Sequence, residues 1–306
     1  MKIICIIGPT ACGKKEIAKY LLAKFGNSIR FISCDSRKVY RYMDIGTAKP
    51  EKPLREFFEL IDIKNPDEIY SAGDFARDAE RVITQILNSG RIPVIIGGTP
   101  LYYKALFSEF FEEPKKDPEI RQYLLNRLKE EGVEKLYEEL KIIDPETAKK
   151  LHPKDWLRIT RALEIYYNTG MPASEARRKL RAKRTFEPEY IGITQPNPEL
   201  YKKIEERTKK MFSEGLIEET KKILEMGYSE KLPSLNTIGY RETIKYLKGE
   251  FTLEEAIYKT IKSTKIYARR QKMFFKNFEN VSWYDVTKEI NQLFERLDGE
   301  IQKRIS

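Results

Sequence analysis

Gly8-Pro9-Thr10-Ala11-Cys12-Gly13-Lys14 has the spacing G-x-x-x-x-G-K, which suits a loop that cradles a phosphate. Its glycines let the backbone wrap an anion, successive N–H groups point inward, and a helix starting there adds its positive end. Lys14 is placed to reach the terminal phosphate oxygens. The next position usually gives a Ser or Thr hydroxyl to magnesium, but here it is Lys15. A lysine cannot ligate the ion, so either the ion is held otherwise or Lys15 brings a second charge to the phosphates. Asp35 ends the apolar run 29–34. A carboxylate beside such a loop suits a reaction in which Asp35 takes a proton from the attacking nucleophile while Lys14 and the loop amides hold the electrophile's phosphate or diphosphate. Capping the next turn, or holding a magnesium-bound water, are simpler roles for it. Thr99, after Gly97-Gly98, is a candidate donor into the same cleft, or only part of a tight turn. Arg207, Arg269 and Arg270 are each able to clamp a diphosphate bidentately.

These residues need elements to carry them. Ile3 to Ile7 is a short apolar run bounded by Gly8, which reads as a buried strand, and 16–25 reads as a helix. Residues 29–35 form a second strand whose terminal acid lies at the carboxyl edge, where open α/β sheets bind ligands. Residues 35–50 lack periodicity and read as a functional loop. A third strand is expected over 57–63, and an amphipathic helix over 71–87 with Ser71 as N-cap and Asp74 completing a capping box. A fourth strand starts at Ile92 and ends in Gly97-Gly98-Thr99. This alternation implies a P-loop NTPase-like α/β fold, a parallel sheet flanked by helices. Residues 113–188 are charged and strand-poor, with helices near 118–131, 133–140, 147–151 and 156–167, and read as a mainly helical insertion domain. The core domain is then 1–112 with 189–306. It resumes with a strand at 190–194, one long helix over 197–226, helices near 239–248 and 253–278, a short strand at 281–284 and a helix from Lys288.

The 306 residues can bury a sizeable core. Lys and Arg outnumber Asp and Glu by 57 to 47, which favours an anionic partner such as a nucleic acid or polyphosphate. Charge at 34% of residues also fits heat adaptation, with no binding role for many of the charges. Arg177, Arg178, Lys179, Arg181, Lys183 and Arg184 make a basic run, either a contact surface or a solvated helix face. Cys5, Cys12 and Cys34 lack metal-type spacing and His152 is the only histidine, which argues against zinc and for a reducing, cytoplasmic setting. The chain starts directly on a core strand, leaving no room for a signal peptide, and no apolar run reaches the ~20 residues of a membrane span. A soluble monomer without an obligate protein partner is expected.

Several blocks, in order along residues 3–284, resemble the tRNA dimethylallyltransferase family. They are Gly8 to Lys14, Asp35-Ser36-Arg37, Met43 to Pro50, Tyr70 to Phe75, Gly97-Gly98-Thr99 with Leu101-Tyr102, His152-Pro153 with Arg158 to Glu164, Ile238 to Glu242, and Tyr267 to Gln271. The resemblance implies transfer of a dimethylallyl group from dimethylallyl diphosphate to N6 of the adenine on the 3′ side of the anticodon, with Mg2+ assisting. It implies Asp35 as general base, Thr99 close to the transferred group, and Gly8 to Lys15 with Arg207 around the diphosphate. It further implies tRNA contacts from Asp35, Ser36, Arg37, Lys38, Thr99, Arg121, Leu157, Arg158, Ile159, Thr160 and Arg161, with the insertion closing over the anticodon stem-loop. Tyr40, Tyr42 and Tyr102 are candidate stacking partners for the unstacked base.

Four positions depart from the family pattern. Lys15 stands for Thr or Ser, Lys38 and Leu157 for Gln, and Tyr42 for Gly. Three rivals share the loop: a P-loop kinase, for which Lys15 is awkward because such an enzyme relies on the loop hydroxyl for Mg-ATP; an adenine-nucleotide isopentenyltransferase, which needs no large RNA-binding insertion; and a non-catalytic RNA-binding relative.

Overall fold

The apolar run behind Met1 forms β1 (Lys2–Ile7), buried at every position after Lys2. A strand buried on both faces belongs in a parallel sheet covered by helices. The computed structural model describes residues 1–108, 117–180 and 185–305 and has that architecture. The chain runs β1, α1 (Lys14–Phe25), β2 (Ile29–Cys34), β3 (Phe58–Glu59), α2 (Ala72–Asn88), β4 (Ile92–Gly97) and α3 (Pro100–Phe107). Four helices follow: α4 (Pro118–Ile143), α5 (Pro145–Ala148), α6 (Trp156–Thr169) and α7 (Ala173–Lys179). The chain then forms β5 (Glu187–Thr194), α8 (Asn197–Ser213), α9 (Leu216–Glu225), α10 (Tyr240–Leu247), α11 (Leu253–Phe275), β6 (Ser282–Asp285) and α12 (Ile290–Ile305).

The six strands pair in parallel in the order β3-β2-β4-β1-β5-β6. Ile7 and Cys34 both register with Gly97, so β1, β2 and β4 end level and their following loops open on one edge. The chain leaves β1 toward β2 on one side and leaves β4 toward β5 on the other. These neighbours therefore form the switch point at which open sheets bind ligands. Ile4, Ile6, Phe31, Val94, Ile96 and Ile193 pack against Ile17 and Leu21 of α1 and Leu293 and Leu297 of α12. By the pleat, Ile3, Cys5, Ile7, Ile32 and Ile95 face the other side and are buried as well. Each fully buried Ile contributes about 1.5–3 kcal/mol.

The chain divides into two compact units, Met1–Leu106 with Thr185–Ser306, and Phe107–Arg184. The second is built from helices around its own core of Leu124, Leu136, Leu140, Ile159, Leu163 and Ile165. The expected boundary at 112/113 lies outside the described residues, as do Arg181, Lys183 and Arg184. Ser71 caps α2 as expected, its hydroxyl accepting the Asp74 N–H while the Asp74 carboxylate accepts the Ser71 N–H.

Three local expectations are corrected. The third strand is not 57–63: only Phe58–Glu59 pairs with β2, because Leu60 and Asp62 take φ of 60° and 58° and turn the chain out of the ladder. The helix over 197–226 is two helices, interrupted at Gly215, whose φ of 106° no helix accommodates. In α4 the kink falls at Gly132, between the two expected segments. The first helix begins at Lys14 rather than residue 16, so its N-terminus lies within the loop itself.

Candidate active site

The loop after β1 is shaped by two glycines for different reasons. Gly13 has φ of 92°, a left-handed conformation that a Cβ would strain. At Gly8 the limit is space, since a Cβ would lie 2.6 Å from the Ile193 carbonyl oxygen of β5. Lys14 folds back over the loop, its ammonium donating to the Gly8 and Pro9 carbonyls at 2.8 and 2.6 Å. Burial lowers its pKa to about 8; Lys38 and Arg207 push the same way, against Cys12 and Asp35. Burial raises the Cys12 thiol, so that cysteine stays an apolar wall of the loop.

Arg207 reaches the loop from α8. Its Nη2 donates to the Thr10 hydroxyl at 2.9 Å, and its Nε is buried without a partner among the described residues. Burial lowers its pKa from the ordinary arginine value, with Asp35 and Glu16 opposing, yet a guanidinium stays charged. An unpaired charged N–H at the mouth of an anion loop is costly until an anion completes it. The arginines expected as its equals are placed differently. Arg269 and Arg270 are exposed and make no hydrogen bond to the loop among the described residues.

Across the switch point, Asp35 stands at the end of β2. Its Oδ1 accepts the N–H groups of Arg37 and Lys38 at 2.9 and 3.4 Å, so the carboxylate does cap the following turn. Its Oδ2 takes no hydrogen bond among the described residues and is left for a ligand. Thr99 is held by its N–H on the Cys34 carbonyl at 3.2 Å, and its hydroxyl accepts the Ser36 N–H at 3.1 Å. The Tyr267 phenol lies beside that hydroxyl. The Arg37 side chain donates to the Pro233 carbonyl at 3.2 Å and braces the turn. Lys38 makes no side-chain hydrogen bond among the described residues. Burial lowers its pKa, with Asp35 opposing and Arg207 and Lys15 reinforcing. The cleft thus gathers Lys14, Lys38 and Arg207 around one carboxylate, an arrangement suited to holding a polyanion next to a proton acceptor.

Lys15 does not face the loop: its ammonium pairs with Glu51 at 2.8 Å in an exposed contact. Tyr40 and Tyr102, expected as stacking partners, are core residues at 6% and 3% exposure, with Tyr102 stacked on Phe75 at 4.4 Å. Only Tyr42 is exposed, next to Tyr228. The sequence reading missed two loop supports. Gln195 donates to the Ala11 carbonyl and accepts from Lys203, and Gln271 accepts the Thr10 N–H at 2.8 Å. The one signal for Gln271 was its place in the Tyr267 to Gln271 block.

In the helical unit a cavity of about 270 Å³ is lined by Arg121, Leu124, Trp156, Leu157, Arg158, Thr160, Arg161 and Glu164 among others. Five of the residues expected to meet tRNA therefore share one wall. The sixth, Ile159, is fully buried in the unit's core and presents no side chain there, since its place on α6 turns it inward. Arg161 pairs with buried Glu164 at 2.7 Å, Arg158 with Asp155 at 3.1 Å, and Arg121 approaches Glu164 at 3.7 Å. Within the basic run, Arg178 is paired with Glu146 and Lys179 with Glu175.

Comparison with known proteins places this cleft in context. The family model described as IPP transferase matches residues 38–278. A tRNA dimethylallyltransferase of Dictyoglomus turgidum is 42% identical over 92% of this chain and 86% of its own length. One from Thermotoga maritima is 40% identical over the full length of both. Among solved structures, the tRNA isopentenylpyrophosphate transferase of Bacillus halodurans superposes with a TM-score of 0.70 at 36% identity, over 99% of this chain and 97% of that one. A eukaryotic dimethylallyltransferase acting on tRNA gives 0.81 at 25% identity, over 97% and 77%. With this extent of likeness along the whole chain, the protein is a member of the IPP transferase family, the family of the tRNA dimethylallyltransferases.

Proposed function

We propose that this chain transfers a dimethylallyl group from dimethylallyl diphosphate to N6 of the adenine on the 3′ side of the anticodon in tRNA. The observation that carries the reading is the Arg207 guanidinium, bound to Thr10 by one arm and, among the described residues, unpaired at Nε, set over the loop across from an Asp35 Oδ2 that takes no hydrogen bond there. The bond from the allylic carbon to the diphosphate oxygen breaks as the bond to N6 forms, and Asp35 receives the N6 proton. Lys14, Arg207 and the loop N–H groups take up the charge on the leaving diphosphate, where fixed donors lower the barrier most. An exocyclic amine is a weak nucleophile, so a base poised at Asp35 matters as charge develops. The adenine leaves its stack to reach the cleft. In the core unit Asp35 to Lys38 and Thr99 meet it; in the helical unit Arg121, Leu157, Arg158, Thr160 and Arg161 meet the RNA.

Magnesium enters this proposal with the diphosphate, whose charge it would help neutralise. The chain offers it little: Lys15 stands at the hydroxyl position and is paired with Glu51. Among the described residues no three His, Cys, Asp or Glu side chains converge. Such a site fits an ion held by diphosphate oxygens and waters, which leaves the Asp35 Oδ2 to take the N6 proton. The proposal sets this work in the cytoplasm, with the chain acting as a monomer; among the described residues no helix is long and apolar enough to cross a membrane. The test is transfer of a labelled dimethylallyl group to unmodified tRNA. Product at the adenine beside the anticodon is expected from wild type; RNA binding without transfer would overturn the reading.

A further inference from the structure

Gln271 of α11 is 4% exposed, and its carboxamide spans two loops that hold opposite halves of the reaction. Its Oε1 accepts the Thr10 N–H of the phosphate loop at 2.8 Å, and its Nε2 donates to the Gly98 carbonyl at the end of β4. An acceptor facing an N–H and a donor facing a carbonyl leave only one orientation for the amide. Gly98 is part of the fit, because a Cβ there would lie 2.6 Å from Nε2. Thr10 in turn accepts Arg207, while Thr99, next to Gly98, accepts the Ser36 N–H beside Asp35. One side chain thus links Thr10 and Arg207, at the leaving group, to Thr99, Ser36 and Asp35, at the acceptor.

We infer that Gln271 is a positioning residue that sets the distance between the diphosphate loop and the base-bearing edge of the cleft. This rests on the transfer reaction proposed above. In-line displacement requires the leaving oxygen, the allylic carbon and N6 to be aligned, and a displacement near 1 Å costs on the order of 100-fold in rate. The expected signature is therefore a fall in kcat with little change in the KM for tRNA. Loss of packing alone would lower Tm and leave kcat per folded molecule intact.

The experiment uses Gln271→Met, which keeps the length and removes both hydrogen bonds, and Gly98→Ala, which keeps Gln271 but pushes its amide away. Assays run well below the Tm of each variant. Both substitutions are expected to lower kcat by about 10- to 100-fold and to weaken inorganic pyrophosphate binding measured by calorimetry. The double variant is expected to be little worse than the poorer single one, since both break the same link. If the variants fold less stably but keep kcat and pyrophosphate affinity, or if their effects multiply independently, the inference fails. If wild type itself binds no pyrophosphate, the proposed function fails instead. Should a variant not fold, Gln271→Glu keeps the acceptor for Thr10 and loses the donor to Gly98, and unchanged kcat in that variant also overturns the inference.

Discussion

Two motif-rich stretches, the phosphate loop at 8–15 and the block from Met43 to Pro50, are equally conspicuous in sequence and opposite in state. The second is internally satisfied. Glu219 of α9 accepts the N–H groups of Asp44, Ile45 and Gly46 and the Tyr240 hydroxyl. Lys49 is buried and donates to the Tyr40 carbonyl, Asp44 and Asp62, and Arg55 adds pairs to the same two carboxylates. Burial works against the charge on Asp44, but Arg55 and Lys49 hold its carboxyl below the usual carboxylate range. The first stretch is left open: Lys14 rests on carbonyls an anion can replace, and among the described residues Arg207 Nε has no partner and Asp35 Oδ2 takes no hydrogen bond. Groups that have found partners hold the fold; those without one among the described residues are the groups that the proposed diphosphate and adenine would meet.

This contrast can be broken by substitution, and the largest effect should come from the open side. Asp35→Asn, which keeps an oxygen for the Arg37 and Lys38 N–H groups, is expected to lower the transfer rate by about 10²–10⁴-fold with Tm nearly unchanged, measured by single-turnover transfer and calorimetry. Equal losses in Tm and rate would mean that the turn cap is its main role. Glu219→Ala should do the reverse. Leaving several N–H groups unpaired is expected to cost about 2–4 kcal/mol of stability, read by urea unfolding, with kcat per folded molecule preserved.

A smaller effect should appear in the pH dependence of pyrophosphate binding. Lys14 in the free protein has its pKa lowered to about 8, so its charge is complete below that pH and is lost as pH rises through it. Affinity should then decline as pH rises through about 8. Lys14→Arg, which stays protonated, should lack that break; if it declines in parallel, another group is responsible. The sign for stability is opposite. The unfolded chain binds the proton more tightly, so between about pH 8 and the ordinary lysine value this group favours folding progressively more as pH rises. The smallest change is expected from Lys15→Thr. Its pair with Glu51 is exposed, so stability should shift by less than about 1 kcal/mol, while the restored hydroxyl should make pyrophosphate binding respond more strongly to magnesium. An unchanged magnesium response would show that the loop position does not govern the ion.

Much of the site was legible because its chemistry is local. The buried run before Gly8, the glycine spacing and Asp35 at a strand end all follow from preferences acting within a few residues. So does the Ser71 cap. What failed to show is of another kind. The helix break at Gly215 was hidden because apolar periodicity continues on both sides of it, and β3 was over-read because Leu60 carries no marker of positive φ and Asp62 only a weak one. Spacing alone did not favour Arg207 over Arg269 and Arg270, as all three lie on charged helices; only the family resemblance singled it out.

The sequence by itself determined the glycine-bounded loop at 8–15, the strand–loop–helix that presents it, and a carboxylate at the same sheet edge, because short-range backbone geometry leaves few alternatives. Only the tertiary structure decided which groups converge there. Arg207 meets Thr10 across 197 positions and Gln271 meets it across 261, while Glu219 closes the Met43 to Pro50 block across 175. Contacts at such separations depend on how α8, α9 and α11 pack onto the sheet, and no local pattern encodes that packing.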